Sequence, residues 1–247
     1  MKNVARGALV PLGLLLLWEV AGRLGMIPVD SVSMPSSMWS AGVTLLRDGV
    51  LLSATVQTLH ATLEGLAFAT LLGVGVGIVF GLFPRVQGVV GPTLEVLRPV
   101  PPVAFIPLAL LIFGFGVALE VSIIVLASVW PILIVTVAAV RGIEPRLIEV
   151  GRVLELSLVR RLKTIVLPAT AARIGVGIRI AAAVALVVAI TVEIVLNPRG
   201  LGYEMIVAQQ KLQADILFAL ILWTGCVGVL FNLFVAQVER RWLPRVS

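Results

Sequence analysis

The feature that most constrains this chain is a series of apolar stretches too long for an ordinary soluble core. Residues 59–83 form a mainly apolar run of about 25 residues, which as a helix rising about 1.5 Å per residue exceeds the roughly 30 Å hydrocarbon thickness of a bilayer. Comparable runs cover residues 8–24, 89–113, 117–140, 171–196 and 216–238. Six crossings are therefore expected, in an all-α integral membrane protein whose single transmembrane domain takes in residues 1–247.

Composition supports a membrane solvent. Hydrophobic residues make up 60% of the chain and charged residues only 13%, too few to clothe a soluble domain in polar surface. The 19 lysines and arginines against 13 acids do not line one helix or tail, as a nucleic-acid interface would require, but flank the apolar runs. With one cysteine and one histidine, Cys226 and His60, neither an internal disulfide nor the usual nitrogen–sulfur metal site can be assembled within one chain. Both residues read as packing groups, since no Ser–His–Asp or Cys–His set with a plausible membrane geometry is visible.

The run from Ala8 to Trp18, behind Lys2 and Arg6, resembles a signal peptide in layout. Glu19 and Arg23 stand where a small-residue cleavage site would fall, so it reads as a retained first crossing. Residues 27–49, with Pro28, Pro35 and Asp48, read as an external loop carrying a short helix. Basic residues are retained on the cytoplasmic side. Placing both termini there puts Lys2, Arg6, Arg85, Arg98, Arg141, Arg146, Arg152, Arg160, Arg161, Lys163, Arg173, Arg240, Arg241 and Arg245 inside, against Arg23, Arg47, Arg199 and Lys211 outside.

The most informative segment is the inner loop EPRLIEVGRVLELSLVRRLKTIVLPAT, residues 144–170. Pro145 suits a first helical turn; Leu147, Val150, Gly151, Leu154 and Leu158 then share one face, and Glu149, Arg152 and Glu155 the other. A helix over about 145–158 is too short to cross a bilayer, so its apolar face must rest on a protein groove or on the membrane surface.

Several residues stand out within the apolar runs. Pro99, Pro101, Pro102 and Pro107 break the third run; such a segment either lines a pathway, where cavity water or protein satisfies the freed backbone groups, or is a helix that starts after Pro102. Arg179 and Glu193 in the fifth run lie about 21 Å apart along one helix and cannot pair there. Arg179 either attracts an anionic solute or pairs with a carboxylate of a neighbouring helix; Glu193 is either solvated at the outer interface or part of a gate. Glu64 either faces a vestibule or snorkels to the surface. Gly73, Gly77 and Gly81 recur every four residues and indicate close helix packing, with no lysine following as a phosphate-binding loop requires; Gly225 and Gly228 are assigned the same purpose.

The inner loop resembles the shared motif of the permease subunits of binding-protein-dependent ABC importers: E-A-A, three residues, G, nine residues, I-x-L-P. Glu149, Val150 and Gly151 match its start and Ile165, Leu167 and Pro168 its end, with Glu155 at the glycine position. Glutamate there favours continued helix, where glycine would permit a break. The resemblance implies a type I importer permease fold. Glu149, Val150, Gly151, Arg152, Leu154 and Glu155 would then lie in a coupling helix, between crossings four and five, that docks into an ATPase subunit. It further implies that ATP and magnesium sit on that partner and not on this chain. The permease would work as a homodimer beside an external solute-binding protein in a bacterial inner membrane, with Pro101, Pro102, Arg179 and Glu193 as candidates for the translocation path.

LRPVPPVAFIPLALLIFGFG at 97–116, GIRIA at 177–181 and NPRGLGYEM at 197–205 are similar to the nitrate, sulfonate and taurine branch. A small anion is the solute this implies, and a pyrimidine or vitamin precursor is the alternative within the same family. A secondary transporter would show paired, repeat-related broken helices, and only one broken region is evident. A membrane enzyme or scaffold would need a cluster of reactive side chains or a large external domain, and the sequence has neither.

Overall fold

The computed structural model describes residues 2–26 and 32–242. Pro28 and Arg245 lie outside the described residues, as do the side chains of Lys2, Arg6 and Trp242. All regular structure among the described residues is helical: α1 (Lys2–Arg23), α2 (Pro35–Arg47), α3 (Val50–Leu82), α4 (Pro84–Leu97), a 3₁₀ turn (Pro102–Phe105), α5 (Ile106–Phe113), α6 (Val117–Arg141), α7 (Pro145–Val153), α8 (Leu158–Arg161), a π-helical turn (Leu162–Val166), α9 (Leu167–Val195), α10 (Gly200–Gln210) and α11 (Ala214–Trp242).

Four helical stretches are long and apolar enough to cross a bilayer: α3, α6, the run Leu158–Val195 and α11. A fifth crossing is counted if α4 and the segment Pro102–Phe113, bent by 87° at the prolines, act as one broken span. The sixth expected crossing corresponds to α1. That helix runs over Lys2–Arg23, and the side chains of its first residues lie outside the described ones.

Two boundaries differ from expectation for identifiable reasons. Helix α3 begins at Val50 and not near residue 59, because the polar residues of its first turns find partners along the helix: the Ser53, Thr55 and Thr58 hydroxyls face the carbonyls of Val50, Leu51 and Ala54 at 3.0, 2.6 and 3.1 Å. A hydropathy reading counts those hydroxyls as polar, whereas the helix supplies its own acceptors. Helix α7 stops at Val153 and not near residue 158, for a reason given below.

The core lies where α3, α6 and α9 pack together. Small residues set the spacing: Ala61 and Ala69 of α3, Ala181, Ala182, Ala185 and Ala189 of α9 and Ile124 and Ile132 of α6 share one buried cluster. A methyl group added at Gly73, Gly77 or Gly81 would come within 2.9, 2.6 or 2.5 Å of the side chains of Ile132, Thr136 and Val140. This is the close backbone approach by which membrane helices gain packing contacts when lipid provides no hydrophobic drive between them. Gly225 and Gly228 of α11 are not used this way: nothing lies within 4 Å of a methyl at Gly225, and only Leu186 at 3.7 Å at Gly228. They lie on a helix that packs less intimately, so the expectation for that pair is corrected.

Candidate functional site

The inner loop folds as a short helix, a sharp reversal and a second helical stretch leading into α9. Pro145 occupies the first turn of α7, where its missing N–H is no loss. The helix ends in a Schellman motif: the Leu156 N–H donates to the Gly151 carbonyl at 3.1 Å and the Glu155 N–H to the Arg152 carbonyl at 2.9 Å. Glu155 itself takes the left-handed conformation, φ 51°, normally left to glycine. The expectation of continued helix at Glu155 is thus corrected: satisfying the last carbonyls of α7 outweighs glutamate's helical preference, and the residue does what the motif's glycine would do.

Gly151 is buried and sits against the next helical stretch; a methyl there would come within 2.8 Å of Ile165 Cδ1 and 3.4 Å of Arg161 Cδ. Two motif positions fourteen residues apart in sequence, 151 and 165, therefore touch. Ile148 completes the attachment, packing against the cluster of Val140, Ile143 and Val166 that Leu162 and, from α3, Ile78 and Leu82 also cover. The opposite side of α7 is bare. Val150 is 51%, Val153 82% and Leu154 63% exposed, and with Arg146 and Glu149 they line an open concavity of about 420 Å³. Glu149, Arg152 and Glu155 are all exposed. Of the expected apolar face, only Gly151 turns inward.

A second polar constellation lies at the other end of the helices, where α9 turns into α10. The first turn of α10 presents three N–H groups that no intrahelical carbonyl can accept. Gln57 Oε1 takes that of Gly200 at 3.1 Å, Thr58 Oγ1 that of Leu201 at 3.0 Å and Glu193 Oε2 that of Gly202 at 2.8 Å. The Thr58 hydroxyl also stands 2.7 Å from Glu193 Oε1, so its single proton is shared between that oxygen and the Ala54 carbonyl. The carboxylate thus sits at a helix N-terminus, where the backbone dipole favours negative charge. Gly200 and Gly202 leave room for it: a methyl on either would come within 1.9 and 2.7 Å of the Glu193 side chain, and Gly200 adopts φ 87°. Beside this group the Asn197 side-chain N–H donates to Glu120 Oε2 at 2.8 Å.

Glu193 is only 1% exposed, so it is a buried cap and not a solvated interfacial group. Glu120 and Asn197, also buried, were not singled out from the sequence. Only the text NPRGLGYEM pointed toward this region, because the partners come from α3, α6 and α9, with Thr58 and Glu193 separated by 135 positions.

The remaining candidates are dispersed. Arg179 lies 3.8 Å from Glu239 of α11, with its side chain about half exposed, which corresponds to pairing with a neighbouring helix. Pro101 and Pro102 stand at the elbow between α4 and α5, and the helical turn there starts at Pro102 itself. Glu64 is partly exposed, 3.8 Å from His60 one turn earlier. Trp223 is held by a 2.8 Å hydrogen bond to Thr55 Oγ1, and Trp18 meets Phe218 edge to face at 6.1 Å.

Comparison with known proteins places these features in context. Residues 69–244 match the model of a family described as "binding-protein-dependent transport system inner membrane component". The bicarbonate transport system permease protein CmpB of Synechococcus elongatus is 32% identical, over 97% of this chain and 90% of its own. SsuC of Bacillus subtilis, named for aliphatic sulfonates transport, is 30% identical over 96% of this chain and 86% of its own. The taurine transport system permease protein TauC of Escherichia coli is 30% identical over 94% and 86%. Among solved structures, a chain of the inward-facing MetNI methionine ABC transporter superposes with a TM-score of 0.68 at 16% identity, covering 78% of this chain and 95% of that one. At that identity the likeness is one of fold.

Proposed function

The chain belongs to the family of binding-protein-dependent transport system inner membrane components, and we propose that it serves its ABC importer as one of two identical subunits enclosing a solute path, driven through α7. As a permease subunit of a multi-pass inner membrane assembly it is not itself an enzyme. In this reading ATP and magnesium are held by separate ATPase subunits, and an external binding protein delivers the solute. With α1 as a sixth crossing, both termini and α7 face the cytoplasm, in keeping with the bias of arginine and lysine toward that side. The path runs between the two copies, with the Pro101–Pro102 elbow and Arg179 as candidate lining groups and Glu193 as the outer cap that fixes α10 to α3 and α9.

The observation that carries this reading is the two-sidedness of α7. One side is fastened through Gly151 and Ile148 to the stretch that continues into α9; the other offers Val150, Val153 and Leu154, edged by Arg146 and Glu149, to an outside partner. A rigid handle of this kind passes movement of the ATPases to α9 and switches the path between inward-facing and outward-facing states. The solute class follows the relatives, whose names cite bicarbonate, aliphatic sulfonates and taurine; a small anion or zwitterion is the substrate proposed here.

Glu149→Arg tests the coupling, because it reverses a charge at the rim of the docking concavity without disturbing the fastened side. In vesicles reconstituted with the ATPase subunits and the binding protein, the variant should lose solute-stimulated ATP hydrolysis and uptake together. Wild-type uptake by the variant would count against the assignment.

A further inference from the structure

A cavity of about 470 Å³, larger than the concavity at α7, lies between α4, the inner end of α3 and α6. Its lining recurs at helical spacing, residues 87, 91, 94, 95 and 98 on α4 and its C-terminal edge and 130, 133, 134, 137, 138 and 141 on α6, so it is a crevice running along two helix faces. Arg141 hydrogen-bonds Gln87 Oε1 across it, which fixes which ends of the two helices meet. Arg98 then lies roughly 16 Å farther along α4, at the rise of a regular helix. Most of the walls are apolar, with Phe80 and Trp130 as the aromatic groups.

The two ends differ in electrostatics. Near Arg98 the crevice also contains the Glu95 carboxylate, which forms no ion pair with Arg98 but leaves that end without net charge. At the other end Arg141 likewise has no ion-paired carboxylate among the described residues, and the one acid lining the crevice, Glu95, lies about two turns of α4 from Gln87. Its contact, Gln87, is neutral and keeps an amide N–H₂ free to donate while its oxygen accepts from Arg141. A guanidinium and an amide N–H₂ beside an apolar trough form a seat for a planar or tetrahedral oxyanion carrying a short hydrocarbon body.

We propose that this crevice is an inner-face binding subsite for a small organic anion, a sulfonate or carboxylate, with its headgroup on Arg141 and Gln87 and its apolar body along Phe80 toward Trp130. The inference rests on the reading of the solute as a small anion and of this end of α6 as cytoplasmic, and adds where such a solute is held before release. Arg141 ends α6 two residues before Ile143, which packs against Ile148 of α7, so the subsite adjoins the fastened side of the handle.

Equilibrium binding of radiolabelled butanesulfonate to the permease–ATPase complex in nanodiscs tests it. Arg141→Gln should weaken binding by about tenfold or more and Arg98→Gln by much less. Phe80→Ala should weaken butanesulfonate but leave methanesulfonate unchanged. Equal binding by wild type and Arg141→Gln would overturn the subsite, as would inorganic sulfate competing as well as butanesulfonate, which would mark an unspecific anion patch. The same preparations separate this inference from the importer reading: normal ATPase co-purification with unaltered Arg141→Gln binding removes only the subsite, whereas failure of the ATPase to co-purify removes the coupling assignment.

Discussion

Glu155 shows how far a single residue's propensity can be overridden by the carbonyls around it. Holding a non-glycine residue in the left-handed region costs about 1–2 kcal/mol, and the two hydrogen bonds that close α7 offset that cost. Glu155→Gly should relieve the strain without changing the turn; for about 1 kcal/mol of local stability, amide exchange at Leu156 should slow roughly fivefold. Hydrogen exchange read by mass spectrometry on loop peptides checks this, and faster exchange in the glycine variant would contradict it. The spacing of Glu149, Gly151, Ile165 and Pro168 was legible in the sequence because a motif is a linear pattern. The role of Glu193 was not, since its partners Thr58 and Gly202 arrive from other elements and a lone carboxylate near a helix end looks the same whether capped or solvated.

Among elements, α3 and α6 form the pair on which the fold depends most visibly. Their separation is set by Gly73, Gly77 and Gly81, and the four-residue period makes that face readable from the sequence alone. The same reasoning failed for Gly225 and Gly228, because glycine in a membrane helix marks close packing only where a partner helix is present, and the sequence does not say which face meets one. Gly77→Val would drive new methyl groups into Thr136, whose Cβ stands 2.6 Å from the position of an added methyl. Overpacking of this kind costs about 1–3 kcal/mol, so the melting midpoint of the purified protein should fall. Gly75→Val, with nothing within 4 Å, should leave it unchanged; equal melting of the two variants would refute the packing account. The broken third run was likewise foreseeable from its prolines, but the 87° bend was not, because prolines locate a break without fixing the angle that packing then imposes.

At the scale of the whole molecule, the arrangement separates three tasks along the membrane normal. Capping of α10 by Glu193, Thr58 and Gln57 secures one end, the alanine- and glycine-rich α3–α6–α9 core holds the middle, and α7 projects at the other end with an apolar ridge that the described residues leave exposed. Composition alone announced the membrane; the orientation inferred from positive-residue bias and the ATPase proposed to cover α7 are the parts of the account that experiment must decide. The most direct test of that central claim is thiol labelling of Val153→Cys in a Cys226→Ser background, using a membrane-impermeant maleimide. The account predicts no labelling in intact cells, labelling in inverted membrane vesicles stripped of the ATPase, and protection when the ATPase is restored. Labelling from the outside of intact cells, or labelling indifferent to the ATPase, would contradict it.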